Sequence, residues 1–465
     1  MNIRTNQPTN DNSETSGFLP SSDAATYFHD KKQFPVYLNT LVQQGDLSKT
    51  IGFLEVYFAK YPLYRQTLVY LHSQLVASGE VFLAREVGRI YAETCDYLLE
   101  IGKKELGLPA IFDSNWALGP SNLYEIVDYA AYTYHMGQIG LIEDKPVLLL
   151  ANRECANEAL IPYLEDIFEV ITDGTDVAHY ERIANLSPFN CAFYKISATK
   201  YGAINNFYGD IYPELIQNKL NTFTFTLKPE TYNKASGFLK EFGLKEDEEF
   251  IVLNLNEDTS DSDNDPKRQF RNVNPLDYVA AIEWLLSQGV KVVRIGHPKM
   301  TPLPEMNGLI DLTAVERPGE VDIYLCAQAK FYYGTFSGPM SLSTHFGTKV
   351  LVSNSYNYGL SQPNTLIQFC PMALESNGRI VLISELESVK LDMVTVDSAF
   401  TKRGLKPISL TSDDHLSSVK DMIEFIKEGD ICLSNDDMKM RLDKQGVLSN
   451  FTYNSLKLFE NSELM

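Results

Sequence analysis

Residues 331–354 read FYYGTFSGPMSLSTHFGTKVLVSN, and the fold is read outward from them. Phe331, Tyr332 and Tyr333 suit a buried strand, which the small-residue run Gly334-Thr335-Phe336-Ser337-Gly338 cannot continue. Pro339 fits a first helical turn, where its missing N–H is no loss. The helix is expected to close at Gly347, and Lys349-Val350-Leu351-Val352 to start the next strand. A loop of this kind leaves main-chain N–H groups at the positive end of the helix dipole, a setting suited to phosphate oxygens. The same letters also describe a tight βα turn whose glycines only relieve backbone strain, and the segment alone leaves both readings open.

Upstream, Phe250 to Leu255 is expected to be a strand. Asn274 then caps a helix with Pro275 at its first position, Leu276, Val279, Ile282 and Leu286 on one face, and Gly289 past its end. Lys291 to Gly296 reads as the following strand, Leu309 to Leu312 as another, and Asp322 to Ala329 as a short helix. Arg379 to Ile383 is a late strand and Ser412 to Lys427 a capped amphipathic helix. An earlier block repeats the alternation: strands at Pro146–Leu150 and Phe168–Ile171, a helix at Glu158–Asp166, and a closing strand at Thr222–Leu227. Two such blocks imply an α/β protein with two doubly wound domains and a cleft between them.

Before these blocks the pattern differs. Residues 1–34 are taken as a polar, disordered tail, since the first two dozen offer almost nothing to bury. From 35 to 105 the periodicity is helical. Leu41, Gly45-Asp46-Leu47 and Tyr57 recur as Leu75, Gly79-Glu80-Val81 and Tyr91, at the spacing of tetratricopeptide-like hairpins. The expected division is therefore a tail (1–34), a helical repeat-like region (35–105), an N-terminal α/β domain (106–243), a C-terminal α/β domain (244–400), and C-terminal helices (401–465) packing back on the domains. The helical region reads first as a structural or oligomerising cap, with homo-oligomerisation left open, and second as a partner-binding module.

The 465-residue length requires more than one core, and 44% hydrophobic with 22% charged residues describes a globular chain. A net charge of −21 argues against a general binder of nucleic acid or anionic membrane. No leader pattern and no membrane-spanning apolar run is read, so a cytoplasmic location is expected. The six cysteines are scattered, without metal-ligand or disulfide spacing.

Three groups fall at the carboxyl ends of second-domain strands, where such sheets bind ligands. The first is Thr335, Ser337 and Gly338. The second is Arg294-Ile295-Gly296-His297-Pro298. Arg294 sits inside a strand, which points equally to a ligand and to a paired carboxylate; His297 reads as a phosphate donor, an acid–base group or a solvated loop residue. The third runs from Asn254 through Glu257-Asp258 to Arg268, Phe270, Arg271 and Asn272. Its acidic stretch Asp261-Ser262-Asp263-Asn264-Asp265 fails the calcium-loop pattern, because Pro266 and Asn272 stand where Gly and Glu are required. Glu257 or Asp258 is a candidate general base. No catalytic triad, P-loop or complete dinucleotide fingerprint is present.

The order of these segments resembles a family of bacterial glycosyltransferases known chiefly from genomic annotation. The resemblance rests on Phe270-Arg271-Asn272, the helix with Tyr278, Ala281 and Ile282, Gly289, Val293-Arg294-Ile295-Gly296, Ile310-Asp311, Asp322-Ile323-Tyr324-Leu325 and the 331–354 segment. Weaker likeness reaches back to Leu118-Gly119, Ala151-Asn152 and Ala156-Asn157, covering about residues 115–430. It implies two Rossmann-like domains in the GT-B arrangement and sugar transfer from a nucleotide sugar to a glycan or protein acceptor, with no cofactor and no metal. It further implies Asn254, Arg271, Arg294, Gly296, His297, Thr335, Ser337, Gly338, Pro339 and Ser341 at the donor. The pattern departs where the family's first second-domain strand ends in His-hydrophobic-Arg, because this chain reads Asn254-Leu255-Asn256. Either Arg271 or Arg294 supplies the missing charge, or the donor binds differently, or activity is lost. A nucleotide-sugar epimerase or hydrolase of the same fold and a non-catalytic binding protein are the alternatives.

Overall fold

The computed structural model describes residues 40, 44, 72, 75, 83–90, 117–118, 123–140, 145–150, 157–174, 193–195, 201–203, 224–257, 271–355, 367–380, 400–401, 404–428 and 453–454. Contacts divide the chain into one unit of Met1–Leu118 with Ala178–Asn206 and another of Gly119–Val177 with Phe207–Met465. In the first unit a helix covers 83–90, burying Leu83, Ala84, Val87 and Ile90. An antiparallel hairpin there pairs Phe193–Lys195 with Tyr201–Ala203. The tail and, apart from Leu75, the residues that carry the helical repeat lie outside the described residues.

The second unit is α/β, as its alternating pattern requires. Its elements begin with α1 (Leu123–Gln138), β1 (Val147–Leu149), α2 (Ile161–Leu164) and β2 (Glu169–Ile171). Strands β1 and β2 pair in parallel. After α3 (Pro229–Glu241) come β3 (Phe250–Asn254), α4 (Val279–Ser287), β4 (Lys291–Arg294), β5 (Leu309–Asp311) and α5 (Gly319–Gln328). Next are β6 (Tyr332–Gly334), α6 (Gly338–His345), β7 (Val350–Ser355) and β8 (Ile367–Pro371). A small antiparallel sheet follows, with β9 (Ala373–Ser376) between β10 (Arg379–Ile380) and β11 (Lys406–Ile408). Helix α7 (Ser412–Glu428) and the two-residue β12 (Tyr453–Asn454) come last.

The main sheet runs β12-β8-β7-β6-β3-β4-β5, and every pairing in it is parallel except β12 with β8. Read from the β5 edge, its parallel strands stand third, second, first, fourth, fifth, sixth by order of appearance. That is the doubly wound arrangement, and it reverses direction between β3 and β6. Strand β3 is buried at every position and β6 likewise, as expected for strands covered on both faces.

Local chemistry explains most boundaries. Asn274 accepts the Leu276 N–H, and Pro275 follows at the first helical position. Gly289 ends α4 at φ +78°, with Val290 N–H returning to Leu285 O at 3.1 Å. Thr411 and Asp414 form a reciprocal cap on α7: Thr411 N donates to Asp414 Oδ2 at 2.8 Å, and Asp414 N to Thr411 Oγ1 at 3.3 Å.

Two expectations require correction. Leu276 is 50% exposed, because Pro275–Tyr278 is a 3-10 turn that shifts the phase of the face. The buried face is instead Tyr278, Ala281, Ile282 and Leu285, packed with Val419, Met422 and Ile423 of α7. Residues 224–227 of the expected strand Thr222–Leu227 are not in a strand. Phe225 N–H bonds to His345 O at 2.7 Å, and its ring packs with Tyr163 and Phe346.

Candidate functional site

The reversal between β3 and β6 leaves a crevice outside the carboxyl ends of the two strands, the place where open α/β sheets bind ligands. The chain leaves β3 through Leu255, Asn256 and Glu257, and leaves β6 through Thr335, Phe336 and Ser337. Side chains tie these loops together. Asn256 N donates to Thr335 Oγ1 at 2.9 Å, Asn256 Nδ2 to Phe336 O at 2.8 Å, and Thr335 N to Asn254 O at 3.1 Å. At Gly334 (φ +152°) an added Cβ would lie 1.9 Å from Asn254 O, so the two backbones can meet only at glycine.

Helix α6 starts at this crevice. Its N-cap residue, Ser337, makes no side-chain cap, although serine favours that role. The Ser337 hydroxyl is instead 2.8 Å from Tyr332 Oη, which also donates to Thr335 O at 2.7 Å. Gly338 and Met340 therefore present first-turn N–H groups with no side-chain cap, and Pro339 contributes none. Arg271 lies across the same loop, with Nη2 donating to Phe336 O at 3.0 Å. Its Nε has no partner among the described residues. Main-chain donors, a helix dipole and a guanidinium thus converge on one loop, which is the chemistry of an anion seat. At its far end α6 is held against α1 by His345 Nε2 and Asp128 Oδ1, 2.9 Å apart and buried.

The other expected residues are placed differently. Arg294 is 0% exposed and takes the pairing alternative. Its Nη2 bonds Glu257 Oε1 at 2.5 Å, and its Nη1 bonds Asp311 Oδ2 at 3.1 Å and Thr301 O at 2.7 Å. An arginine so enclosed does not reach a ligand. Glu257, with its side chain 6% exposed, also accepts Thr301 N–H on Oε2 at 2.8 Å. With both oxygens engaged, it is not placed to take a proton from an acceptor. Ser341 is fully buried, so its hydroxyl does not meet the crevice. Asn254 is buried and donates to Ile295 O at 3.2 Å, bracing β3 against β4. Gly296 (φ +155°) turns the chain into exposed His297. Asp258, Arg268, Phe270 and the acidic run 261–265 lie outside the described residues.

Sequence reasoning placed Asn256 within a candidate group without a role of its own, and missed Tyr332 as a builder of the seat. A signal existed for Tyr332, since a tyrosine in a fully buried strand needs a partner for its hydroxyl.

Among the described residues no helix is long and apolar enough to cross a membrane. No protein-family model matches this chain, and no curated protein resembles it closely enough to count as a match. Solved structures that it resembles include ADP-heptose lipopolysaccharide heptosyltransferase II of E. coli, at 10% identity, 51% of this chain, 83% of that one and a TM-score of 0.33. Another is a family 9 glycosyl transferase of Veillonella parvula, at 15% identity, 57% and 64% coverage and a TM-score of 0.25. A third is the iron-containing dodecameric glycosyltransferase TibC of enterotoxigenic E. coli, at 10% identity, 67% and 75% coverage and a TM-score of 0.36. These are distant backbone likenesses, and what the chain does is read from its own site.

Proposed function

We propose that this chain is a glycosyltransferase of GT-B type that uses a nucleotide-sugar donor. The observation that carries the reading is the uncapped start of α6 at the β3–β6 reversal, with Arg271 laid over the same loop. A donor diphosphate would rest on the N–H groups of Gly338 and Met340, with Arg271 supplying the charge that the altered Asn254-Leu255-Asn256 triplet lacks. The sugar C1–O bond then breaks with its electron pair passing to the diphosphate oxygen, and a hydroxyl of a glycan or protein acceptor bonds to C1. Main-chain dipoles and the guanidinium stabilise the leaving charge in place of a metal. The acceptor's proton goes to a carboxylate, for which Asp258 is the remaining candidate, because Glu257 is held by Arg294 and Thr301.

A thermal-shift screen against UDP, GDP, CMP and ADP tests this reading. One nucleotide should raise the melting temperature by saturable linkage, and Arg271→Ala should abolish most of that rise. If no nucleotide stabilises the protein, the proposal fails.

A further inference from the structure

The buried pair Arg294–Glu257 has a consequence for the turn beside the crevice, residues 296–301. Both main-chain groups of Thr301 are clamped by it: its carbonyl by Arg294 Nη1 at 2.7 Å and its N–H by Glu257 Oε2 at 2.8 Å. The turn is then closed from within. Met300 N donates to His297 O at 3.0 Å, and His297 N lies 3.3 Å from Met300 Sδ. Lys299 N donates to His297 Nδ1 at 3.2 Å. An imidazole that accepts on Nδ1 carries the ring proton of its neutral form on Nε2. His297 is exposed, so the Nε2–H is offered to solvent at the carboxyl end of β4, next to β3.

A fully buried arginine is a poor way to stabilise a core, since apolar side chains of similar volume do it as well or better. It is a good way to fix geometry. Here the pair joins the loop after β3, the end of β4, the end of β5 through Asp311, and the 296–301 turn. We propose that Arg294 and Glu257 are positioning residues, and that through this turn they hold His297 so that its Nε2–H donates to a phosphate oxygen of the ligand. This rests on the anion seat described above. It makes His297 the ligand contact on the β4 side of the crevice, and it explains why two charged residues that look like ligand groups in the sequence are enclosed in the core.

Inorganic pyrophosphate, which has no base to bind elsewhere, is the probe, and titration calorimetry the readout. Wild type binds it saturably. His297→Ala weakens binding about tenfold, the size of one hydrogen bond to a charged oxygen. Glu257→Gln weakens it by a similar factor, and the double variant E257Q/H297A binds no more weakly than H297A. That non-additivity is what positioning predicts, whereas a purely structural role gives losses that add. Should E257Q not fold, Met300→Ala loosens the same turn without touching the ion pair; it weakens binding about threefold in the wild-type background and has no further effect with His297→Ala. Unchanged affinity in H297A, or additive losses in the double variant, overturns this inference and leaves the seat standing. Absence of pyrophosphate binding in wild type overturns the seat and this inference together.

Discussion

Two polar clusters sit among the strands of the main sheet, and they differ in what they leave unpaired. One is the β3–β6 crevice. The other joins Tyr278, Tyr333, Ser353, Asn354 and His415, all buried. In the second cluster Tyr278 Oη meets Ser353 Oγ at 2.8 Å, Leu410 N donates to Asn354 Oδ1 at 2.8 Å, and Tyr333 Oη lies 3.0 Å from His415 Nδ1. The His415 ring is centred 3.8 Å from that of Tyr278. This cluster is closed: its side chains bond one another and the main-chain groups of Gly334 and Leu410, and it ties α7 to the sheet. The crevice is open at the start of α6, which no side chain caps. Polar residues in a core therefore do not mark a site by themselves. What marks one here is a set of main-chain donors at a helix start that no side chain caps.

The comparison can be broken at several points. The largest effect is expected at Arg294, which belongs with the closed chemistry although it borders the open site. Arg294→Ala strands Glu257 and Asp311 and should lower stability by about 3–5 kcal/mol in urea denaturation. A loss below 1 kcal/mol would mean the pair is not enclosed as described. Next is the acid response of the closed cluster. Burial lowers the His415 pKa from 6.5 to about 3. As pH falls below 6.5 the unfolded chain takes up a proton that the folded one refuses. Stability should therefore drop by about 1.4 kcal/mol per unit until pH approaches 3. His415→Gln should flatten that slope between pH 6 and 4. A smaller effect is expected in the crevice, where Arg271→Ala should reduce affinity for the stabilising nucleotide about tenfold, with little change in stability. The smallest is Ser337→Ala, a change of about threefold or less, because the main chain provides most of the donors there.

Much of the architecture was legible because apolar runs with sharp ends leave few choices. Phe250–Asn254, Lys291–Arg294 and Tyr332–Gly334 are strands, and the turn after Gly334 leads into a helix at Gly338. The crevice was legible for the same reason, since small residues before a proline are visible as letters. The fate of Arg294 was not. An arginine inside a strand reads alike whether it faces a ligand or a carboxylate, and its partners Glu257 and Asp311 are 37 and 17 residues away in sequence. Leu276 was misassigned because a 3-10 start changes the angle between successive side chains, which a helical period cannot register. Of the donor residues expected beyond the 335–339 loop, Arg271 lies on that loop, His297 stands exposed beyond the carboxyl end of β4, and Ser341 is turned into the core.

The central claim is that the first turn of α6 receives phosphate oxygens. The direct measurement is a crystal structure with the nucleotide that best stabilises the protein. The account predicts diphosphate oxygens within about 3 Å of the Gly338 and Met340 nitrogens, with the Arg271 guanidinium beside them. A nucleotide bound elsewhere, with these two N–H groups facing only water, would contradict it.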